Sequence, residues 1–433
     1  METNRECKLR IAVVGLRFGG AFAPIYHAHP DVEHVAICDS DESLLHAYGT
    51  KFGFESKYTD VGDILRSDEY DAVHLVTPIP LHAKQSVDVL NAGKHCACTV
   101  PMATTLQELR EIVEAQRRSG KNYMMMETAV YTYQFLFAEQ MREAGEFGRI
   151  QFLRGAHYQD MENWPEYWKG LPPMHYATHA ISPLLALAES RATKVHCFGS
   201  GVMREELKAK YGNPYPVETA IFQLARNNLS AEVTRTLFET SRGYMESFNV
   251  YGENQSLEWH MEDEPLVLFR MSESGNGGGR NITCERVTPP SRPDLLPPEL
   301  ARYITHQTDL DPGNPHQSVL QGNGHHGSHP HLVHEFVRSI VERRKPRVDA
   351  ETAANWTAAG ICAHESAMNG GKEVYIPSPS CSFFNASASA LLSGSSSRDC
   401  CCDDKYCCTS RLSALPPPRS FSRRASNADS FSR

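Results

Sequence analysis

The sequence predicts an α/β protein: a doubly wound parallel sheet, followed by an α+β domain with a large, open, mostly antiparallel sheet. Three observations lead to this prediction. Residues 8–39 run in the order strand, glycine turn, helix, strand and acid. The alternation of apolar strand and amphipathic helix continues to about residue 128, as in a sheet covered by helices on both faces. Beyond that point strand-like segments follow one another with little helix between them, which is typical of an antiparallel sheet.

Length and composition limit the classes of protein to consider. The 433 residues exceed one ordinary core, so we expect domains at 1–128 and 129–377 and a tail at 378–433. With 41% hydrophobic and 22% charged residues the chain is globular in composition, and its net charge of -9 argues against a nucleic-acid partner. No segment resembles a membrane span and METNRECKLR lacks the apolar core of a secretory signal, so a cytoplasmic protein is expected.

The glycine turn GLRFGG follows the apolar strand KLRIAVVG, and the next strand, HVAICDSD, ends on Asp39. In a dinucleotide-binding βαβ unit, glycines let the backbone approach the pyrophosphate, and an acid about 20 residues further on accepts from the ribose. Arg17 replaces the middle glycine and offers a guanidinium to phosphate. Asp39 favours NAD, and Arg17 leaves NADP open. The turn assigns four more residues to the cofactor: Gly15, Phe18, Gly19 and Gly20.

The next strands repeat this pattern up to about residue 128. DAVHLVTPIPLH is a buried strand that breaks at Thr77-Pro78, KHCACTVPMA is a short strand leading to Pro101, and NYMMMETAVY is a buried strand with its polar end at Glu127. A helix, AKQSVDVLNAG or TLQELREIVEAQRRSGK, precedes each of the last two. Ligands of such sheets lie beyond the carboxyl ends of the strands, where Gly15, Thr77, Thr99 and Glu127 gather.

The second domain is predicted as a series of strands with few helices. The strands are RIQFLRGAHYQ, KVHCFGSGV, ETAIFQLA, SAEVTRTLFET, ESFNVYGENQSLEWHM and EPLVLFRM. Helices are expected at 134–147 and 175–189 and as a final pair, HPHLVHEFVRSIVERR and DAETAANWTAAGICAHESAMNGG. Residues 275–330 are expected to be loop-rich, and the serine-, proline- and arginine-rich tail to be disordered. An open sheet exposes apolar surface unless a second copy covers it, so a homo-oligomer is expected.

These motifs resemble the Gfo/Idh/MocA oxidoreductases over roughly residues 8–377. The resemblance rests on the glycine turn, the TPxxxH strand end, a histidine within the helix at 175–189, and the order of the two domains. It implies a NAD(P)-dependent enzyme acting on a small sugar or cyclitol. It also implies cofactor contacts at Thr77, Pro78, His82, Thr99 and Pro101. Members usually carry Glu-Lys-Pro after the fifth strand, where this chain has Thr99, Val100 and Pro101.

Three segments are similar to a branch of that family, the NAD-dependent glycoside hydrolases, which include α-N-acetylgalactosaminidases. The segments are MMMETAVY, YATH and GHHGSHPHLVHEF. In that branch a Glu, a Tyr and a His at matching places line the sugar pocket, which implies a site formed by Glu127, Tyr176 and His179. His157 and Gln159 stand where those hydrolases have a Tyr and a His.

The expected chemistry begins with oxidation of a sugar hydroxyl carbon. Its hydrogen leaves as hydride to the nicotinamide, while a base of near-neutral pKa takes the hydroxyl proton. Histidine suits this role, so His179 is the predicted base and Tyr176 its hydrogen-bonding partner or proton relay. The oxidised sugar is either the product or an intermediate in an elimination that returns the hydride. A third possibility is a cofactor-binding regulator without catalysis.

Several predicted site residues also have a purely structural interpretation. Glu127 at a strand end could equally cap a backbone group, and His82 is expected to position the nicotinamide side of the pocket rather than to catalyse. Trp164 and Trp168 either stack on a sugar face or fill a loop core. His175, beside Tyr176, completes the predicted substrate contacts together with His157.

A cluster of histidines follows residue 324: His325, His326, His329, His331 and His334. Imidazoles are common zinc ligands, but no acid or cysteine completes a ligand set here, so no metal is expected. One of these histidines, His326, is assigned to the sugar pocket.

Overall fold

The computed structural model describes residues 8–261, 264–272, 279–304 and 322–378, and all of them fall within one compact unit. Two β-sheets form this unit. The domain boundary expected near residue 128 falls between the last strand of the first sheet and the first strand of the second, and it stays a prediction. The predicted tail lies, from residue 379 on, outside the described residues. No helix within the described ranges is long and apolar enough to cross a bilayer.

The first sheet has six parallel strands in the order β3-β2-β1-β4-β5-β6. The strands are β1 (Leu9–Val14), β2 (Val32–Cys38), β3 (Lys57–Tyr58), β4 (Ala72–Leu75), β5 (His95–Cys98) and β6 (Tyr123–Met125). Its central strands consist mostly of buried apolar residues, as expected for a sheet covered on both faces. The strand order reverses between β1 and β4, which opens a crevice at their carboxyl ends. The prediction of a doubly wound parallel sheet is confirmed.

Helices α1 to α6 connect these strands: α1 (Leu16–Gly19), α2 (Ala23–Ala28), α3 (Glu42–Phe52), α4 (Val61–Arg66), α5 (His82–Asn91) and α6 (Leu106–Ser119). One helix was expected after the glycine turn, and the structure has two, because Gly20 ends α1 and Pro24 starts α2. Helix α6 is capped at both ends: Thr105 and Glu108 form a capping box, and Gly120 ends the helix at a φ of 63°.

The second sheet has nine strands in the order β14-β13-β12-β11-β7-β10-β9-β8-β15. They are β7 (Ile150–Tyr158), β8 (Ala192–Ser200), β9 (Val217–Leu224), β10 (Ser230–Thr236), β11 (Met245–Gly252), β12 (Gln255–Glu258), β13 (Leu266–Met271), β14 (Ile282–Val287) and β15 (Val374–Tyr375). Within it β7 and β10 pair in parallel, and the other described pairs are antiparallel. The predicted, mostly antiparallel sheet is confirmed.

The remaining helices are α7 (Tyr133–Glu143), α8 (Thr178–Leu187), α9 (Glu205–Tyr211), α10 (Pro298–Ala301), α11 (Gly322–Val341) and α12 (Ala350–Met368). The helix expected from residue 175 begins later, at Thr178, because Pro172 and Pro173 start a separate 3-10 turn, Pro173–Tyr176. Helix α12 packs between β8 of the second sheet and α6 of the first part of the chain.

One expectation for the region after β13 needs correction. Residues 275–330 were expected to be loop-rich, yet β14 lies within them and pairs with β13 from Leu266↔Val287 to Met271↔Ile282. Every residue of β14 up to Arg286 is exposed, so the strand lacks the alternation of buried and exposed residues by which strands are recognised.

A close approach of β7 to α8 brings the two parts of the site together. A Cβ on Gly155 of β7 would lie 2.3 Å from the carbonyl oxygen of Ala180 in α8. Only glycine permits this contact. His157, two residues further along β7, consequently lies beside His179 of α8, with ring centroids 5.2 Å apart.

Candidate active site

A cavity of about 690 Å³ lies at the carboxyl ends of β1, β2, β4 and β5, facing α8 and the loop after β7. Sites for small molecules commonly have volumes of roughly 300–1,000 Å³. Twelve of the predicted site residues line it: Gly15, Arg17, Phe18, Asp39, Thr77, Pro78, His82, Thr99, Trp164, Trp168, Tyr176 and His179. Seven others are not among the lining residues: Gly19, Gly20, Pro101, Glu127, His157, His175 and His326.

The glycine turn forms one wall of the cavity. Gly15 has a φ of 90°, and a Cβ there would lie 2.3 Å from the carbonyl oxygen of Val76, so a side chain is excluded. Gly19 and Gly20 instead permit packing behind the wall, since a Cβ on Gly20 would lie 2.2 Å from the Tyr48 ring. Within the turn, therefore, the backbone at Gly15 borders the cavity while the later glycines hold the turn against its neighbours.

Asp39 and Arg17 lie at the end of the cavity nearest this turn. The Asp39 carboxylate accepts hydrogen bonds from the backbone N–H groups of Leu16, at 2.7 Å, and Asp41, at 2.9 Å. The Arg17 guanidinium is 58% exposed and lies 3.7 Å from the Asp41 carboxylate. The acidic side chains hold the turn in place and partly neutralise the one arginine beside it.

His82 joins the ends of β4 and β5. Its Nδ1 and Nε2 lie 2.8 Å from the carbonyl oxygens of Pro101 and Thr77, respectively. Carbonyl oxygens only accept, so both ring nitrogens must carry a proton and the imidazole is cationic. Burial lowers the pKa of His82, but Cys98 and the two carbonyls raise it more, to about 9. Pro101 therefore contributes through His82 rather than as part of the cavity wall.

Glu127 and His179 form a buried carboxylate–imidazole pair. Nδ1 of His179 lies 2.6 Å from Oε1 of Glu127, and both side chains are at least 97% buried. Glu127 also caps the turn Thr128–Val130 by accepting from Ala129 N–H at 3.0 Å, so the structural interpretation of this residue holds as well. Burial lowers the pKa of His179, but the Glu127 and Glu246 carboxylates raise it above its usual 6.5. With Nδ1 engaged, Nε2 is the nitrogen left for a ligand in the cavity.

Tyr176 lies against a buried arginine. The Arg235 guanidinium is 5.4 Å from the centre of the Tyr176 ring, and its Nε donates to the Tyr176 carbonyl oxygen at 2.8 Å. Its Nη2 donates to Gln159 Oε1 at 3.1 Å, and Gln159 also lines the cavity. Burial lowers the pKa of Arg235 to about 10 and raises the pKa of the Tyr176 hydroxyl. Tyr176 thus stays protonated at neutral pH and can donate to a ligand.

Four buried polar residues lie side by side across the second sheet. The pairing aligns Glu218 with Arg235, Arg235 with His157, and His157 with Glu246 on neighbouring strands. Directly paired residues point to the same face of a sheet, so these side chains form one row beneath α8. Neither ring nitrogen of His157 has a hydrogen-bond partner among the residues that the structure describes, and burial holds its pKa well below the usual value. His157 is therefore a neutral neighbour of His179 behind the wall.

Sequence reasoning missed Tyr244, Glu246 and His325. Tyr244 and His325 line the cavity, and both contact the Glu246 carboxylate behind them. Glu246 occurs in a strand that was predicted, and its only sequence signal is an acidic residue at the start of the apolar run ESFNVYG. Its position in the site depends on its pairing with His157, which the sequence does not show.

His326 and His175 do not reach the cavity. The assignment of His326 to the pocket is corrected in favour of its neighbour, because His326 turns to Tyr133 and Gln134, each 3.2 Å from its Nδ1. The His175 ring packs on His364, 5.0 Å between centroids, away from the cavity lining. Because the backbone turns between residues 175 and 176, only the tyrosine faces the site.

Trp164 and Trp168 belong to an aromatic wall of the cavity, with Met161 and Tyr167 beside them. Trp168 is 5% exposed and meets the Tyr176 ring edge-on at 4.7 Å. The two tryptophans pack in a small core and also border the cavity, and their stacking on a sugar face stays a prediction. Among the described residues, no group of three or more His, Cys, Asp or Glu is arranged to hold a metal ion.

Residues 9–127 match the oxidoreductase family with an NAD-binding Rossmann fold, Gfo/Idh/MocA. The match confirms the predicted resemblance for this part of the chain, and with it the NAD cofactor that the motifs predict. Among solved structures, levoglucosan dehydrogenase in complex with NADH and levoglucosan is similar over 86% of this chain and 100% of its own, with a TM-score of 0.67 and 21% identity. At that identity the similarity concerns the fold.

Two curated proteins show the range of activities among relatives. A glycosyl hydrolase family 109 protein of Porphyromonas gingivalis is 26% identical over 255 residues, 54% of this chain and 53% of that protein. The 1-carboxy-3-chloro-3,4-dihydroxycyclo hexa-1,5-diene dehydrogenase of Comamonas testosteroni is 26% identical over 200 residues, 44% and 50% of the respective chains. The chain thus spans about half the length of the curated relatives it matches.

Proposed function

We propose that this chain, whose residues 9–127 carry the NAD-binding domain of the Gfo/Idh/MocA oxidoreductases, transfers hydride between a sugar or cyclitol hydroxyl carbon and nicotinamide. His179 is the general base of the proposal. The main support for this proposal is the hydrogen-bonded pair of Glu127 and His179. His179 and the glycine turn line the same cavity.

The residues at the glycine turn fit a dinucleotide. A side chain at Gly15 would collide with Val76, so only glycine fits at this position. The backbone of Gly15 is therefore accessible from the cavity. Asp39 lies on the same wall and offers a carboxylate to a ribose hydroxyl. When bound, NAD supplies the acceptor for the hydride. Gly15, Asp39, Thr77 and Thr99 would hold it along this edge.

The protein's own part in the reaction is removal of the hydroxyl proton. Because Nδ1–H of His179 donates to Glu127, Nε2 carries the lone pair and accepts the proton as the C–O bond gains double-bond character. The Glu127 carboxylate stabilises the imidazolium that results. Tyr176 donates a hydrogen bond to the substrate oxygen, and its place against Arg235 fixes its orientation.

The rest of the cavity suits a sugar ring. The aromatic wall of Trp164, Tyr167 and Trp168 offers faces and edges for the C–H patches of a pyranose or cyclitol. Gln159 offers an amide to its hydroxyls. A small apolar wall with a few polar groups is typical of specific small-molecule sites.

Replacing His179 with Ala tests the assignment. We expect hydride transfer to fall by a factor of about 100 to 10,000, because the proton then leaves without a positioned base. The assay follows NADH absorbance and aglycone release together, over a panel of sugars and aryl glycosides. Binding of NAD to the variant serves as the folding control. Unchanged turnover in H179A would remove His179 from the mechanism.

A second function, redox-neutral glycoside hydrolysis with NAD recycled, is favoured by Val100. This apolar residue lines the cavity where the family usually has a lysine, so the dehydrogenase pattern is incomplete. In the same assay, NADH accumulation indicates a dehydrogenase, and aglycone release without NADH indicates a hydrolase. If neither NADH nor aglycone appears, a non-catalytic regulator remains as the alternative.

A further inference from the structure

Glu246 is a buried carboxylate that acts on the oxidation step only through its charge, which raises the pKa of His179. Its side chain is 2% exposed, yet it contacts three groups at the cavity. Its Oε1 accepts the hydroxyl proton of Tyr244 in a short hydrogen bond and lies 3.4 Å from Nδ1 of His325. The same oxygen is 3.9 Å from Nδ1 of His179.

His325 is placed much as His179 is. Its ring lies 5.9 Å from that of His179, inclined by only 29°, and both rings line the cavity. Each turns Nδ1 toward a buried carboxylate, Glu127 in one case and Glu246 in the other. Burial raises the pKa of Glu246, but the imidazoles of His179 and His325 lower it further, well below its usual value. Glu246 is therefore charged and can stabilise an imidazolium.

The two pairs differ in what holds them. Glu127 caps a turn at the end of β6, whereas Glu246 is fixed on β11 by its pairing with His157 on β7. His325 has a φ of 48°, a left-handed conformation that a histidine rarely adopts. The His325 side chain lies at the cavity, whereas the side chain of His326, whose φ is 52°, lies toward Tyr133.

We propose that His325, held by Glu246 and Tyr244, is a second base, which removes the carbon-bound proton next to the carbon that NAD oxidises. The inference rests on the proposed function, which supplies the ketone. Once His179 has taken the hydroxyl proton it is an imidazolium and cannot accept another, so a second proton requires a second base.

The step balances without a further reactant. The His325 imidazole takes hydrogen from the α-carbon as a proton, and the C–H electron pair forms the enolate of the ketone. Return of a solvent-derived proton to that carbon restores the ketone, and return of the hydride and of the hydroxyl proton then gives the substrate with exchange at that carbon. In a glycoside the same electron pair instead expels the substituent oxygen from the neighbouring carbon, and that oxygen takes a proton from solvent as it leaves. Glu246 and Tyr244 act as positioning residues for His325.

Two separate measurements distinguish hydride transfer from removal of the carbon-bound proton. Full-length enzyme and NAD are mixed with each of four probes: methyl N-acetyl-α-D-galactosaminide, methyl α-D-glucoside, levoglucosan and myo-inositol. Enzyme-bound NADH formed in a single turnover, followed by absorbance, reports hydride transfer. Deuterium entering the carbon next to the oxidised one in D₂O, followed by NMR, reports the second base.

The variants are His325→Asn, Tyr244→Phe and, as a matched control, His331→Asn, a buried histidine of α11 outside the cavity lining. Asparagine is chosen at 325 because it tolerates a left-handed backbone. We expect both site variants to lose exchange by about 30-fold or more with single-turnover NADH within about threefold of the wild type, since base catalysis contributes a factor of about 100 or more. His331→Asn should keep both signals.

Each other outcome rules out either the second base or the oxidation step. NADH formation without exchange in the wild type overturns the second base alone. Full exchange in His325→Asn and Tyr244→Phe, or a parallel loss of both signals in the two variants, overturns the assignment to His325. No NADH with any probe overturns the proposed function and this inference with it.

Discussion

At the scale of single residues, the Glu127 carboxylate sets the basicity of His179. The two side chains are 2.6 Å apart and buried, so the charge of one acts strongly on the other. Glu127 and Glu246 raise the pKa of His179 above 6.5, and the base is active only in its neutral form. The rate of oxidation should therefore rise with pH, with a midpoint above the ordinary value for histidine.

Replacing Glu127 with Gln should move that midpoint to lower pH, because a carboxylate that favours the imidazolium is lost. The rate at high pH should fall roughly 10- to 100-fold, since the amide orients the ring less well and cannot stabilise its charge. Initial rates at saturating NAD, measured from about pH 5 to about pH 10, give both quantities. A midpoint that stays in place in E127Q would show that Glu127 does not control the base.

Individual residues of the candidate site could be predicted where they belong to a short local sequence pattern. Glu127 ends a buried strand, and Tyr176 and His179 share one short motif. Glu246 and Tyr244 come from a different strand, and they reach the site only because β11 pairs with β7 in a particular register. His326 was assigned to the pocket instead of His325, and the sequence does not show the left-handed backbone that both residues adopt.

At the scale of elements, the glycine turn after β1 can be tested against a glycine in another turn, the one between α5 and β5. Gly15 and Gly93 both have positive φ, 90° and 73°, but a Cβ at Gly93 would meet nothing within 4 Å. Gly93→Ala should thus lose only the conformational preference, about 1 kcal/mol. Gly15→Ala adds a collision with Val76 and should lose more stability, together with NAD affinity.

Thermal unfolding and NAD titration of the two variants check this comparison. Equal losses of stability, or unchanged NAD affinity in G15A, would contradict the role given to the turn.

Periodicity was sufficient to predict most strands of both sheets, since each of these strands carries buried apolar residues. It failed for β14, a sheet-edge strand exposed along most of its length, and for the first helix, which Gly20 and Pro24 divide.

At the scale of the whole molecule, the second sheet leaves apolar side chains uncovered. Phe198 is 62% exposed, Ile221 44% and Tyr375 73%. They lie on one face of β8, β9 and β15, because Ile221 pairs with His196, two residues from Phe198, and Tyr375 pairs with Lys194. We propose that a second copy of the chain covers this face.

Light scattering tests the oligomer. The wild type should have a mass that is a multiple of 48.4 kDa, and Phe198→Asp with Ile221→Asp should reduce it to one chain, because buried charges oppose association. Leu295→Asp, an equally exposed position outside the sheet, should keep the wild-type mass. A wild type with the mass of one chain would refute the proposed interface.

The most direct test of the account is a calorimetric titration of the full chain with NAD and with NADP, since every step above requires a dinucleotide at the glycine turn. We predict that one NAD binds per chain. NADP should bind at least about tenfold more weakly, because the Asp39 carboxylate at the cavity repels a 2′-phosphate, a difference of about 1.4 kcal/mol or more. Binding of neither dinucleotide would contradict the account.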